Sequence, residues 1–495
     1  MIKEIISMDK QIQIKLTILD VLVEEERWID TDELSHKLEL LPRTTLKYIS
    51  SLQDDIALLK NPDIQILSVK NKGFRLILDS RDHFRSISTV VIQNSLTAEL
   101  IDAIFFDTFQ STASFALTHF TSEYSVRKQI NKWKDIIQGK SLAFNSLNHL
   151  VGKEIEVRFL GYMFFWQVYN IYKWPYPQVD EQELRRLVDG FLDKSGVNLT
   201  YMQKEQLIQV TGFNIMRAAK KKPVQIEPLW DSYLQGNKMY DMYLVQINEI
   251  KQQYSLSTNE LKYMFLLSLT RPLFFYPNNF KKYILQFHAD KNTEIHQAIQ
   301  LFMEDFPKAF RPIIPSKFEN FRDELFSAFI YCSLVEGFKV DYSGYPYLYN
   351  IKIQFPNLYY KLDVFIDTLY KKTRYKFFLQ KEYLINKFAS LFSELDMLNV
   401  YEDPIGIFFD SDLPYYIEKE FKKKIVSLYS IDYKIVFVEH RMDLLAHNKR
   451  GIIAISQFKQ LEDFALTHQI SIQYIHYPLS NADLKYLTSF LAFIQ

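Results

Sequence analysis

At 495 residues the chain is longer than one hydrophobic core usually serves, and its 48% hydrophobic content excludes wholesale disorder. Twelve glycines and 16 prolines are few for that length, which leaves no glycine-rich phosphate loop and favours a mostly helical, multidomain fold. The 59 basic and 59 acidic residues cancel, so the total does not mark a nucleic-acid binder and any such charge has to be local.

Two segments near the N-terminus share one plan. In the first, a helical pattern runs from Ile12 to Val23. Asp30 or Thr31 then caps a short helix, Asp32 to Leu38, and a tight connection leads to Pro42, a good first residue for a longer helix. Apolar residues follow at Leu46, Ile49, Leu52, Ile56 and Leu59, steps of three and four that define one helix face. Strand-like runs at Ile64 to Val69 and Phe74 to Leu78 flank the turn Asn71-Lys72-Gly73. Short helix, turn, longer helix and hairpin is the order of a winged helix-turn-helix.

The second segment repeats that order. Ser111 to Phe120 is the short helix and Thr121-Ser122 the turn. Val126, Ile130, Trp133 and Ile137 mark the buried face of the longer one. Leu142 to Phe144 and Glu154 to Val157 are expected as strands, with a turn over Asn148 to Gly152. The stretch from Val157 to Tyr172 is the most apolar in the chain, but it is interrupted by Arg158, Gln167 and Asn170 and falls short of the ~20 residues of a bilayer span. It reads as a buried helix, from Phe159 to Tyr172, and no membrane partner is expected.

From Asp180 to Phe392 the chain reads as two helical blocks that meet near His288 and Asp290, with interior helices at Leu261 to Leu269 and Phe321 to Val335. The last hundred residues alternate strand and helix. Strands are expected at Ile405 to Phe409, Lys434 to Val438, Gly451 to Ile455 and Ile470 to Ile475. Helices are expected at Pro414 to Tyr429, Met442 to His447, Phe458 to His468 and Asn481 to Phe490. That alternation predicts a small doubly wound α/β domain on a parallel sheet. The single cysteine, Cys332, allows no internal disulfide, and the start Met1 to Ile6 has no apolar core of a signal peptide, so a cytoplasmic protein is expected.

A helix that reads DNA packs one face inside and offers the other to a groove. In the first segment the outward set is Arg43, Thr44, Thr45, Lys47, Tyr48 and Ser51, joined on the hairpin by Lys70, Lys72 and Arg75. In the second it is Tyr124, Ser125, Arg127, Lys128, Asn131, Lys132 and Lys134. Ser122 to Lys140 holds five basic and two acidic residues, a local +3, although residues 1–160 as a whole hold 20 basic against 22 acidic. A solvated helix face is the bland alternative for either segment; two copies in tandem, each with a trailing hairpin, favour double-stranded DNA. Enzyme motifs are missing: there is no C-x-x-C, H-E-x-x-H, G-x-S-x-G or P-loop. No cofactor is expected, and His288 and His296 lack the ligands that would complete a metal set.

With its tandem helix-turn-helix segments and the join Gly152-Lys153-Glu154-Ile155-Glu156-Val157-Arg158 leading to Trp174-Pro175-Tyr176, the chain resembles the Mga family of Gram-positive virulence and carbohydrate-responsive regulators, which includes the AtxA-type proteins. The resemblance implies five parts: winged helix-turn-helix domains at 1–85 and 86–178, helical phosphotransferase-regulation domains (PRDs) at 179–288 and 289–395, and a domain similar to enzyme IIB of the sugar phosphotransferase system at 396–495. It also implies a homodimer, with phosphotransferase proteins and RNA polymerase as further partners. PRDs are controlled by phosphohistidine, yet no histidine lies at 150–287 or 297–439, so only His288 and His296 are candidate phosphorylation sites. An active IIB domain uses a cysteine after its first strand, where this chain has Phe409-Asp410-Ser411-Asp412. Lys220, Lys221 and Lys222 offer a fixed positive surface for an anionic ligand or partner, or a solvated charge run. Two other readings stand beside the regulator of DNA: a PRD-containing RNA-binding antiterminator, which would begin with a small β domain, and a phosphotransferase-system component, which would need the missing thiol.

Overall fold

A computed structural model of the chain describes residues 9–495 except 79, 81, 170–173, 226, 272–277, 343, 346, 348–349 and 396–397. It is mostly helical and divides into two compact units: residues 1–297 with 323–346, and residues 298–322 with 347–495. These units are coarser than the five-part division.

The first unit opens with helices Lys10–Glu25, Thr31–Lys37 and Pro42–Ala57, followed by the antiparallel hairpin of β1 (Ile64–Val69) and β2 (Gly73–Leu78). Asp30 caps the short helix by accepting from the Glu33 amide, and Pro42 starts the long one. Ile29 pairs with the hairpin as a one-residue third strand, exchanging two backbone hydrogen bonds with Phe74 at 2.8 and 2.9 Å. Gly73 is obligatory beside that residue: its φ is +88°, and a β-carbon there would lie 1.9 Å from the Ile29 carbonyl oxygen. Helices Asp82–Gln93 and Leu96–Phe105 connect to the second copy, Thr112–Thr118 and Glu123–Ile137, with the short hairpin of β3 (Leu142–Phe144) and β4 (Leu150–Gly152) behind it. Leu100, Phe109, Phe115, Val126 and Ile130 form its core.

One expected strand is corrected. Glu154 to Val157 is not the second strand of this hairpin but the first turn of helix Glu154–Val168; the strand is β4, inside the expected turn. The alternation of polar and apolar residues at 154–157 mimics a strand, but Ile155, Glu156 and Val157 are all buried, as on a helix packed on every side. The expected helix end at Tyr172 lies outside the described residues.

That helix organises the first unit. Gly161 lies where a β-carbon would come within 2.4 Å of the Phe213 ring and 2.6 Å of the Phe105 ring. The glycine therefore lets the end of the second helix-turn-helix domain and a helix of the first helical block close on one point. Helices Glu181–Ser195, Tyr201–Ala219 and Thr258–Ser268 belong to that block. Further along the same buried helix, Phe159 packs against Phe338 and Tyr342, with ring centroids 4.4 and 4.5 Å apart. The abundance of Phe and Tyr is thus largely a matter of core packing.

In the second unit, helices Pro356–Thr373 and Lys381–Glu394 enclose Phe302, Phe306, Phe365, Phe388 and Phe392. The Glu402 carboxylate accepts from the amides of Asn357 and Leu358 and so caps the first of these helices. The C-terminal sheet is parallel throughout, in the order β6 (Ile435–Val438), β5 (Ile405–Asp410), β7 (Lys449–Ala454), β8 (Ser471–Tyr474). Helices Tyr415–Tyr429 and Asn481–Ile494 cover one face around Ile407, Ile425 and Leu487, and helix Lys459–His468 covers the other around Ile452, Leu444 and Leu461. The expected doubly wound domain is therefore present. The expected helix over Met442 to His447 is a 3₁₀ segment, Arg441–Ala446.

Candidate nucleic-acid interface

In the first helix-turn-helix, Ile49, Leu52 and Ile56 point inward from helix Pro42–Ala57, which leaves Arg43 and Lys47 exposed and Thr44, Tyr48 and Ser51 half-buried. Thr45 has to be removed from the outward set. It is 0% exposed, and its hydroxyl pairs with Ser35 Oγ at 2.9 Å, linking the motif's two helices. Leu46, expected inside, is exposed instead. Threonine reads as polar and therefore outward, but a hydroxyl with a partner is readily buried. Lys70, Lys72 and Arg75 stand exposed on the hairpin.

In the second motif Ser122 caps helix Glu123–Ile137 by accepting from the Ser125 amide, and Glu123 accepts from the Thr112 hydroxyl at 2.6 Å, tying the two helices together. Tyr124, Arg127, Lys128, Asn131 and Lys134 are exposed, while Ser125 and Lys132 are half-buried. Arg127 is held at 2.6 Å by Glu123, an exposed pair that a phosphate could displace. The Thr112 hydroxyl and Arg127 keep the Glu123 carboxyl below its usual range. Partial burial, with Lys128 nearby, lowers the Lys132 ammonium from its ordinary value. Phe120, expected to end the short helix, lies in the turn and is 98% exposed, with a left-handed φ of +49°. Nothing in the periodicity marks it.

The domain carrying this second motif is fastened to the helical block by buried charge. Arg158 is 1% exposed and makes five hydrogen bonds: to both carboxylate oxygens of Glu260 (2.5 and 2.9 Å), Glu154 (3.0 Å), Asn214 (3.3 Å) and the Lys222 carbonyl (2.7 Å). Glu154 is shared with Arg217, which grips it through two bonds of 2.8 Å and donates to the Phe105 carbonyl. Lys220 donates to the Phe106 carbonyl, and Lys222 lies 4.0 Å from Asp107. Two of the three successive lysines thus face the second DNA-side domain of their own chain.

His288 is corrected as a reachable imidazole. The ring is 1% exposed among Tyr233, Phe287 and Phe326, and its Nδ1 is paired with Thr293 Oγ1 at 2.8 Å. As placed, it offers no nitrogen to a phosphodonor protein; His296 is half-buried and is the more open candidate. Burial, with His296 nearby, lowers the His288 pKa from the ordinary 6.5 to about 3. The unfolded chain therefore takes up the proton first, so this contribution to stability is intact above about pH 6.5 and is lost as pH falls from there toward about 3. Urea midpoints are expected to decline over that window, and less so for His288→Phe; equal declines would mean the buried ring does not titrate this way.

Burial also pushes the Cys332 thiol well up, away from the reactive thiolate. Among the described residues no group of three or more His, Cys, Asp or Glu is placed to hold a metal ion, and no helix is long and apolar enough to cross a membrane.

Residues 9–57 match the M protein trans-acting positive regulator (MGA) helix-turn-helix domain, and residues 80–165 match the Mga helix-turn-helix domain. The two helix-turn-helix segments thus each match a helix-turn-helix domain model of the Mga family. The second Mga match reaches into the buried helix Glu154–Val168, so it includes Glu154 and Arg158 of the charge network. Three curated proteins of Bacillus anthracis are similar to this chain. The capsule synthesis positive regulator AcpB is 23% identical over 221 residues, 44% of this chain and 45% of that protein. The anthrax toxin expression trans-acting positive regulator is 24% identical over 214 residues, 43% and 44% respectively. The capsule synthesis positive regulator AcpA is 27% identical over 180 residues, 36% of each. The matches span less than half the length of these relatives.

Proposed function

We propose that the chain is a DNA-binding transcription regulator of the Mga type. The observation that carries this is the tandem arrangement: two winged helix-turn-helix motifs, both matching Mga-family domains, each with exposed cations on the outward face of its second helix. Arg43, Lys47, Arg127, Lys128 and Lys134, with Lys70, Lys72 and Arg75 on the first hairpin, contact phosphates and base edges, and Thr44, Tyr48, Tyr124, Ser125 and Asn131 add neutral contacts. The regions 179–288 and 289–395 act as PRD-like regulatory blocks. The domain at 396–495 is an enzyme IIB-like fold that has lost its phosphotransfer thiol and contributes to a homodimer. The protein works in the cytoplasm with RNA polymerase as the partner in transcription, and control by phosphotransferase-system proteins in response to carbohydrate status is absent or confined to the stretch at His296.

The test is a gel-shift series with duplex DNA, single-stranded RNA of the same sequence, and unlabelled competitor. The duplex is expected to shift and the RNA to compete poorly. Preferential retention of the RNA would favour an antiterminator and overturn this reading.

A further inference from the structure

The turns of the two motifs have the same backbone. In the first, Glu39 has φ +52° and its amide bonds to the His36 carbonyl, while the Leu40 amide bonds to the Ser35 carbonyl. In the second, Phe120 has φ +49° and its amide bonds to the Leu117 carbonyl, while the Thr121 amide bonds to the Ala116 carbonyl. The left-handed position that glycine fills without strain thus carries an acid in one motif and a phenylalanine in the other.

Phe120 is unfavourable for the fold in two independent ways. A bulky residue is strained at positive φ, and a ring that is 98% exposed gains nothing from burial. Leu117 and Tyr124, three residues before it and four after, are also largely exposed, so the turn presents an apolar tip. That tip directly precedes the helix bearing Arg127, Lys128 and Lys134. Its surroundings are therefore those of the cationic face.

We propose that Phe120 packs against thymine 5-methyl groups in the major groove and gives the second motif a preference for thymine-bearing steps. The inference rests on the DNA-binding reading above. In a helix-turn-helix the N-terminal residues of the second helix contact base edges in the major groove, and Phe120 stands three residues before that helix begins at Glu123. The thymine methyl is the apolar group on those edges, and an aromatic side chain suits it. Intercalating wedges act from the minor groove, which the turn does not face. At the equivalent position the first motif carries Glu39, an acid with no ring to offer a methyl group.

The full-length chain and Phe120→Gly are compared by thermal unfolding and by binding to two duplexes, one with thymine and one with every thymine replaced by uracil, which lacks the methyl. The wild type is expected to bind the thymine duplex about five- to tenfold more tightly. Phe120→Gly is expected to unfold at the same or a higher temperature, to lose that discrimination, and to bind the uracil duplex as the wild type does. Equal discrimination by both proteins overturns the proposal, as does equal loss of affinity on both duplexes. Lost self-association with DNA affinity intact assigns the ring to a protein interface instead. A wild type that binds neither duplex removes the DNA-binding reading itself.

Discussion

Arg158→Ala is expected to destabilise the first unit by about 3–5 kcal/mol, seen as a large fall in the urea midpoint. The substitution removes a guanidinium that makes five hydrogen bonds and strands the Glu260 carboxylate, which is equally buried. A buried charge without its partner is costly because solvent cannot reach it, whereas exchanging the whole pair for apolar groups can be nearly neutral. Arg158→Met with Glu260→Leu is therefore expected to recover most of the loss. The single variant should also impair DNA binding. Glu154 and Arg217 belong to the same network, and Arg217 holds the Phe105 carbonyl at the end of a helix of the second DNA-side domain. An Arg158→Ala midpoint close to wild type would mean that the network does not hold domain and block together.

The second large effect concerns affinity. Each cation that neutralises a phosphate releases a counterion, so the logarithm of affinity falls by about 0.9 per phosphate for each unit of log salt. Replacing Lys70, Lys72, Arg75, Lys128 and Lys134 by alanine is expected to flatten the salt slope by about four to five units. At low salt it should weaken duplex binding on the order of a hundredfold or more. All five side chains are exposed. Lys132→Ala should matter less than Lys128→Ala, because Lys132 is half-buried whereas Lys128 is exposed. A slope unchanged in the five-site variant would show these cations to be solvated surface.

The elements with strong periodicity or clear caps were legible in the sequence. Asp30, Ser111 and Ser122 cap helices by local hydrogen bonds, and Pro42 starts one because its fixed φ suits the first helical position. The C-terminal domain alternates strand and helix cleanly, so its parallel sheet followed. What stayed hidden depends on partners far away in the chain. Thr45 is buried because Ser35, ten residues earlier, meets its hydroxyl. Glu154 to Val157 looks like a strand until Arg217, some sixty residues later, takes up the Glu154 carboxylate. The lysines at 220 and 222 looked like solvated charge, yet they face Phe106 and Asp107, more than a hundred residues before them. Of the interface, the cations were legible because charge and period point outward together. The exposure of Phe120 was not, because Phe120 reads as the last residue of the short helix, where an apolar side chain is ordinarily assigned to the core.

The central claim is that two linked helix-turn-helix motifs grip duplex DNA through exposed cations. Fluorescence anisotropy of the full-length chain on a labelled duplex, repeated across a range of salt concentrations, tests it most directly. The account predicts tight binding at low salt and a slope of several units that the cation variants flatten. Binding that is absent at low salt, or that does not change with salt, would contradict it.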